Sequence, residues 1–153
     1  MGRFNFLNSK EKKQFFAYLK DQFGIRLAPK DHTLIKGKDN KIFAISGDIA
    51  RVDLENLRVE SVGLYAGTLE EKGVRLSIDG AQLFVKKTEK NIHSLNEKEA
   101  YLWFNGEDIP VSSTYGQYVV LNHKKDILGC GKLSRGVIKN FVPKERRFYV
   151  KEN

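Results

Sequence analysis

Apolar and polar positions near the start of the chain recur with helical spacing. Phe15, Phe16, Leu19 and Phe23 fall on one stripe of a helix predicted from Ser9 or Lys10 to Phe23, with Lys12, Lys13 and Lys20 away from it or flanking it. Asn8 or Ser9 suits its N-cap, and Gly24 suits the left-handed position just past its end. Short apolar runs follow. Thr33 to Lys36 and Lys41 to Ser46 are joined by Gly37-Lys-Asp-Asn40, turn chemistry that predicts a hairpin. Asp48 to Leu54 is predicted as a short helix. Arg58 to Leu69 reads as extended, and Glu70-Glu-Lys-Gly73 turns it into Val74 to Ser77, with Gly63 and Gly67 marking a bend or a close contact. Ile78, Ala81, Phe84 and Val85 restore helical spacing over Ile78 to Lys87, in a helix weakened by Gly80.

Thr88-Glu-Lys-Asn91 breaks the pattern, and the domain boundary is placed there, dividing the chain into 1–92 and 93–153. Ser94-Leu-Asn-Glu97 then reads as a capping box before a helix from Glu97 to Phe104 that stops at Asn105-Gly106. Strands are predicted at Gln117 to Leu121 and Ile127 to Leu133, linked by Asn122-His-Lys-Lys-Asp126, then around Val137-Ile138 and from Arg147 to Val150. The fold class is therefore α+β, a mixed α/β domain followed by a small β barrel. A chain of this length buries roughly 70% of its unfolded surface as one body, whereas a piece of about 60 residues alone is marginal. The two parts are expected to lean on each other.

Composition narrows the function. With 41% hydrophobic and 30% charged residues the chain is not a disordered one. A formal charge of +8 points to a polyanionic partner, nucleic acid or a membrane surface. No apolar run approaches the roughly 18 residues of a membrane span, and Met-Gly-Arg-Phe-Asn-Phe is too short a start for a signal peptide. The amphipathic helix is claimed by the core. A membrane partner is set aside and a cytoplasmic location expected. The single cysteine, Cys130, excludes an internal disulfide, and His32, His93 and His123 are too scattered for metal-ligand spacing, so neither a metal nor a cofactor is expected.

The candidate chemistry lies between Leu128 and Arg147. From Lys132 to Lys151 there are seven Lys or Arg against one acid, Glu145, interleaved with Val137, Ile138, Phe141 and Val142. Lys132, Arg135, Lys139, Lys144, Arg146 and Arg147 are candidate phosphate contacts, although a solvated charge run has the same composition. Gly129 and Gly131 bracket one residue of an extended segment and leave one of its faces bare, open to the close approach of another backbone. Asn140 either reads a base or 2′-hydroxyl or closes a turn on its own backbone. Tyr115, Tyr118 and Phe141 are candidate stacking surfaces, with burial the safer expectation for Phe141.

These residues also carry a resemblance. Leu95-Asn-Glu-Lys-Glu-Ala100, Phe104-Asn-Gly-Glu-Asp-Ile109, Gly116-Gln-Tyr-Val-Val-Leu121, Leu128-Gly-Cys-Gly-Lys132, Gly136-Val-Ile-Lys-Asn140 and Pro143-Lys-Glu-Arg-Arg147 follow one another in an order similar to the C-terminal PUA-like RNA-binding region of the Sun/Fmu family of RNA cytosine-5 methyltransferases. The likeness covers about Ser94 to Tyr149. Val62-Gly-Leu-Tyr-Ala-Gly67 and Arg75-Leu-Ser-Ile-Asp-Gly-Ala-Gln-Leu-Phe84 resemble, more loosely, the region before that domain and the N-terminal domain of small PUA-containing ribosome-assembly factors. Residues 1 to about 57 match least. The resemblance implies a PUA-like pseudo-barrel that holds structured RNA, either rRNA or tRNA, in ribosome biogenesis or RNA modification. It also implies an RNA methyltransferase or a ribosome-assembly protein as partner.

The resemblance does not imply catalysis. The chain has no Gly-rich loop after a strand with an acid further on, as a nucleotide-like methyl donor would need. That family's nucleophilic cysteines follow proline, whereas Cys130 sits between two glycines. Cys130 is then a nucleophile or a small buried strand residue, and the absence of a neighbouring His favours the second. His123 beside Lys124 and Lys125 reads as a turn residue, and Glu107-Asp108 lacks a second carboxylate pair. The expectation is a non-catalytic RNA-binding protein. Two alternatives stay open: a protein-interaction module for an acidic partner, and a small-ligand-binding relative with a deep polar pocket.

Overall fold

In a computed structural model the described residues are 4–26, 32–46, 63–85 and 90–147. The first sheet is an antiparallel meander of β1 (Asn5–Phe6), β2 (His32–Lys36), β3 (Lys41–Ser46), β4 (Leu64–Glu70) and β5 (Gly73–Leu76), paired in that order. The second runs β6 (Ile92–Ser94), β8 (Tyr118–His123), β9 (Asp126–Ser134), β10 (Val137–Lys139) and β7 (Ile109–Pro110). Within it β6 and β8 are parallel and the remaining pairs antiparallel, giving a curled, half-barrel, PUA-like sheet. The architecture is α+β, as the sequence predicts.

Helix α1 (Ser9–Phe23) forms where the apolar stripe places it. Asn8 caps it, its Oδ1 accepting from Glu11 N at 2.8 Å while Glu11 Oε1 accepts from Asn8 N at 3.1 Å, and Gly24 closes it at φ 73°. Phe15, Leu19 and Phe23 are fully buried against β5 and the elements around it. The predicted hairpin between β2 and β3 is present, its turn carried by Asp39 and Asn40 in left-handed conformation. Glu11 also forms an ion pair with Lys36 of β2.

Helix α2 (Ile78–Phe84) stops short of the predicted end at Lys87, since Val85 already has extended backbone, and 86–87 lie outside the described residues. Ser77 caps it by accepting from Gly80 N at 2.8 Å. Gly80 is there for contact: a Cβ would stand 1.7 Å from the Ala66 carbonyl oxygen, so α2 lies directly on β4. The helix joins the two sheets, since Ala81 and Phe84 belong to one core cluster and Ile78 to another.

Helix α3 (Glu97–Phe104) has the predicted span but a different cap. Asn96, not Ser94, accepts from Glu99 N at 2.8 Å, and Glu99 Oε1 accepts from Asn96 N. Ser94 instead ends β6, a strand too short to show in the sequence pattern. Trp103 on α3 is fully buried and donates to the Leu128 carbonyl at 3.2 Å. The strand predicted at Arg147 to Val150 and the helix at Asp48 to Leu54 lie outside the described residues, except that Arg147 is a non-strand residue after a 3-10 turn at Lys144–Arg146.

The sheets divide near the predicted boundary, the first ending at β5 and the second starting with β6. The apolar interior does not divide there. The largest core cluster combines Phe15, Leu19, Phe23, Val74 and Leu76 from one side with Tyr118, Val120 and Cys130 from the other. Asn91 fastens the seam: its side chain donates to the Gln22 carbonyl at 2.6 Å and accepts from Gly116 N at 2.9 Å.

Candidate nucleic-acid interface

The candidate residues from Gly129 to Arg147 lie on β9, in the turn to β10, on β10, and in the loop and 3-10 turn that follow. Gly129 has φ 139°, a backbone angle that other residues rarely adopt, at the register irregularity between β8 and β9. A Cβ on Gly131 would lie 2.5 Å from Ile138 Cγ2 and from the Lys139 carbonyl oxygen, and 3.1 Å from the Trp103 ring. A Cβ on Gly129 would face Ile78 and Trp103. At Gly131 the bare face expected to admit RNA is therefore filled by protein, where it serves the packing of α3 and β10 on β9, while Gly129 lies at the wall of a small cleft between α2 and α3.

Acids that are distant in sequence meet several of the candidate cations. Lys132 Nζ is 3.0 Å from Glu70 Oε1, Lys139 Nζ 3.4 Å from Asp108 Oδ2, and Arg146 Nη1 3.0 Å from Asp79 Oδ2. Arg147 stays half-buried and donates through Nε to the Val142 carbonyl at 3.0 Å. Arg135 and Lys144 are exposed and have no ion-pair partner among the described residues. Asn140 is committed to its own loop: Nδ2 donates to the Trp103 and Glu107 carbonyls at 2.7 and 2.9 Å, and Oδ1 accepts from Val142 N at 2.7 Å. The turn-closing alternative for Asn140 is the one its geometry satisfies.

The pairs differ in character. Lys139–Asp108 and Arg146–Asp79 are exposed, a class worth at most about 1 kcal/mol, so either cation can exchange its carboxylate for a phosphate at little cost. Glu70 is different. It is three-quarters covered and accepts from Tyr118 Oη at 2.7 Å, Lys132 Nζ at 3.0 Å and Arg75 Nε at 3.3 Å. Burial pushes the Glu70 carboxyl up, but the hydrogen bonds from Tyr118, Lys132 and Arg75 outweigh it and hold the pKa below the ordinary carboxylate value. Burial and the Glu70 charge together raise the Tyr118 phenol. Lys132 thus belongs to a network that ties β9 and β8 to β4 and β5.

The sequence reading missed Arg75 and misjudged Phe141. Phe141 is 40% exposed, and the Arg75 guanidinium lies 4.1 Å from its ring centroid. Of the three aromatics offered for stacking, Tyr118 is buried and Tyr115 is half-buried and bonded to His93 at 2.9 Å. The cleft beside Phe141 is only about 210 Å³, lined by Arg75, Ser77, Asp79, Trp103, Glu145 and Arg146 among others. That is below the roughly 300 Å³ at which ligand pockets begin.

Cys130 is fully buried, and burial pushes its thiol up to about 12, the opposite of what a nucleophile needs. Among the described residues no group of three or more His, Cys, Asp or Glu has metal-binding geometry, and no helix is long and apolar enough to cross a membrane.

A curled five-stranded sheet with a short helix packed across it through a buried tryptophan defines the class: residues 90–147 have a PUA-like architecture. Comparison with known proteins gives the particular likeness. Residues 90–148 match the family described as the methyltransferase RsmF PUA domain. Over 148 residues, 95% of this chain, it is 28% identical to the ribosomal RNA small subunit methyltransferase F of Vibrio vulnificus YJ016. The corresponding protein of Vibrio cholerae M66-2 is 24% identical over the same length. The chain spans about 30% of the length of these curated relatives. What it matches is the non-catalytic PUA portion of such methyltransferases and the region next to it.

Proposed function

We propose that this chain is a non-catalytic RNA-binding protein that holds structured ribosomal or transfer RNA for modification or ribosome assembly, in concert with an RNA methyltransferase. The carrying observation is the match of residues 90–148 to the PUA domain of a ribosomal RNA methyltransferase. The surface of those residues supports the reading. Arg135 and Lys144 stand free of ion pairs among the described residues, Lys139 and Arg146 are held only by exchangeable ones, and Phe141 offers a ring face already backed by Arg75.

Anisotropy titrations with labelled small-subunit rRNA fragments and with tRNA test it. Four neutralised phosphates give log affinity against log salt a slope of about −2.8 on a single strand and about −3.6 on a duplex, taken at about 0.7 and 0.9 per contact. The same titration with duplex DNA of equal length separates an RNA preference from charge alone. Absence of binding at low salt would end the proposal. Incubation with the methyl donor should leave the RNA unmethylated, since the one cysteine is buried and protonated.

A further inference from the structure

The strongest unassigned surface lies on α1. An open groove of about 650 Å³ is lined by Ser9, Lys12, Lys13, Phe16, Ala17, Lys20, Ile25 and Arg26. Four of these residues are cations, none is an acid, and Lys12, Lys13, Lys20 and Arg26 are all exposed. Among the described residues none of the four has an ion-pair partner. The nearest acid in sequence, Glu11, is turned to Lys36 and the Asn8 amide, and Asp21 does not line the groove.

The floor is aromatic and held in place. Phe16 is half-buried, and its ring meets Phe15 edge-on at 5.4 Å and Phe84 at 6.5 Å. Ala17 beside it is small and exposed, leaving the ring accessible. Lys13 and Lys20 are seven residues apart, about 10 Å along the axis at 1.5 Å per residue. Cations recurring along a groove suit a polymer with charge at every unit better than one small anion. A basic rim over an aromatic floor is the arrangement that binds single-stranded nucleic acid, phosphates on the cations and a base on the ring.

We infer that the α1 groove is a second RNA-binding face, which takes an unpaired strand of the RNA whose structured part is held by the PUA-like region. The inference rests on the proposed function, and the test separates the two. Wild-type protein, Lys13→Glu/Lys20→Glu and, as a comparison, Lys144→Glu/Arg146→Glu are titrated with an rRNA hairpin carrying a single-stranded 3′ extension and with the same hairpin without it. All the altered positions are exposed, and circular dichroism checks that each variant folds.

The extension should strengthen wild-type binding by about tenfold, and Lys13→Glu/Lys20→Glu should lose that gain together with at least about 1.4 of the salt slope. Phe16→Leu, which keeps the ring's apolar bulk in the core, should lower affinity for the extended RNA without changing the slope. Equal binding of both RNAs by wild-type protein and by Lys13→Glu/Lys20→Glu overturns the α1 face and leaves the proposed function standing. No binding of either RNA by wild-type protein overturns both. Competition by poly-L-glutamate as strong as by poly(U) at equal charge also overturns the inference, because the face would then select charge and not RNA.

Discussion

Residues 132–147 and the first helix both carry clusters of cations, but the fold treats them in opposite ways. On β9, β10 and the following turn, Lys132, Lys139 and Arg146 are met by Glu70, Asp108 and Asp79 from other parts of the chain. Around α1 no acid lines the groove formed by Lys12, Lys13 and Lys20 with Arg26 just beyond the helix, and none of the four is in an ion pair among the described residues. The denser run in sequence is thus partly neutralised, and the sparser one keeps its field. Charge counted along a chain locates cations; charge counted after folding locates the potential an RNA meets.

The contrast can be tested by altering one region at a time, and the largest effect belongs to packing. Gly131→Val forces two methyl groups against Ile138 and the Lys139 carbonyl, and should destabilise the protein by about 3 kcal/mol or more. Urea unfolding reads it as a lowered midpoint. A stable Gly131→Val protein with weakened RNA binding would return the bare glycine face to the interface.

Glu70→Gln should come next, costing about 1.5–3 kcal/mol because three donors lose a charged acceptor. The pH sign follows from the lowered pKa. The folded protein favours ionised Glu70, so its contribution is complete above the unfolded value near 4.3 and is lost as pH falls through the lower folded value. Glu11, held low by Lys36 and the Asn8 amide, acts in the same direction. Wild-type stability should fall over that acid range, and Glu70→Gln should flatten the fall. Freed of Glu70, Lys132 and Arg75 should also raise RNA affinity at low salt.

Smaller effects follow at the exposed pairs. Asp79→Asn should change stability by less than about 1 kcal/mol and tighten RNA binding, while Arg146→Ala should reduce the salt slope by about 0.7. Opposite shifts from the two partners would show that Arg146 moves between carboxylate and phosphate; equal shifts would make the pair purely structural. The smallest effect is expected at Cys130, which should resist thiol reagents in native buffer and react only on unfolding.

What the sequence made legible was local. The α1 stripe, its glycine stop, both hairpins and the span of α3 depend on residues a few positions apart, and each appears where the periodicity puts it. Ser94 shows the limit: two capping patterns overlap at Ser94 and Asn96, and only the parallel pairing of β6 with β8 decides between them. The site was less legible because its electrostatics are non-local. Nothing near Lys139 in sequence announces Asp108, and nothing near Arg146 announces Asp79. For Phe141, a candidate stacking surface, burial is the safer expectation from sequence, yet its ring is 40% exposed with the Arg75 guanidinium over one face. The cations of the α1 groove were readable, since Lys13 and Lys20 share a helical face, but helical spacing alone does not show that Phe16, at the edge of the core stripe, opens between them.

The seam fastened by Asn91 carries an evolutionary consequence. The segment that recurs among methyltransferases starts at residue 90, whereas the apolar interior it completes runs back to Phe15. Cut free at residue 90, that segment would turn Val120 and Cys130 from oil toward water and leave Asn91 without the Gln22 carbonyl. The stretch the family model delimits and the stretch that closes the apolar interior are different lengths of chain. The likeness to the ribosomal RNA methyltransferases runs over 148 residues, not 59, so it takes in the preceding helix and meander against which that segment closes its core.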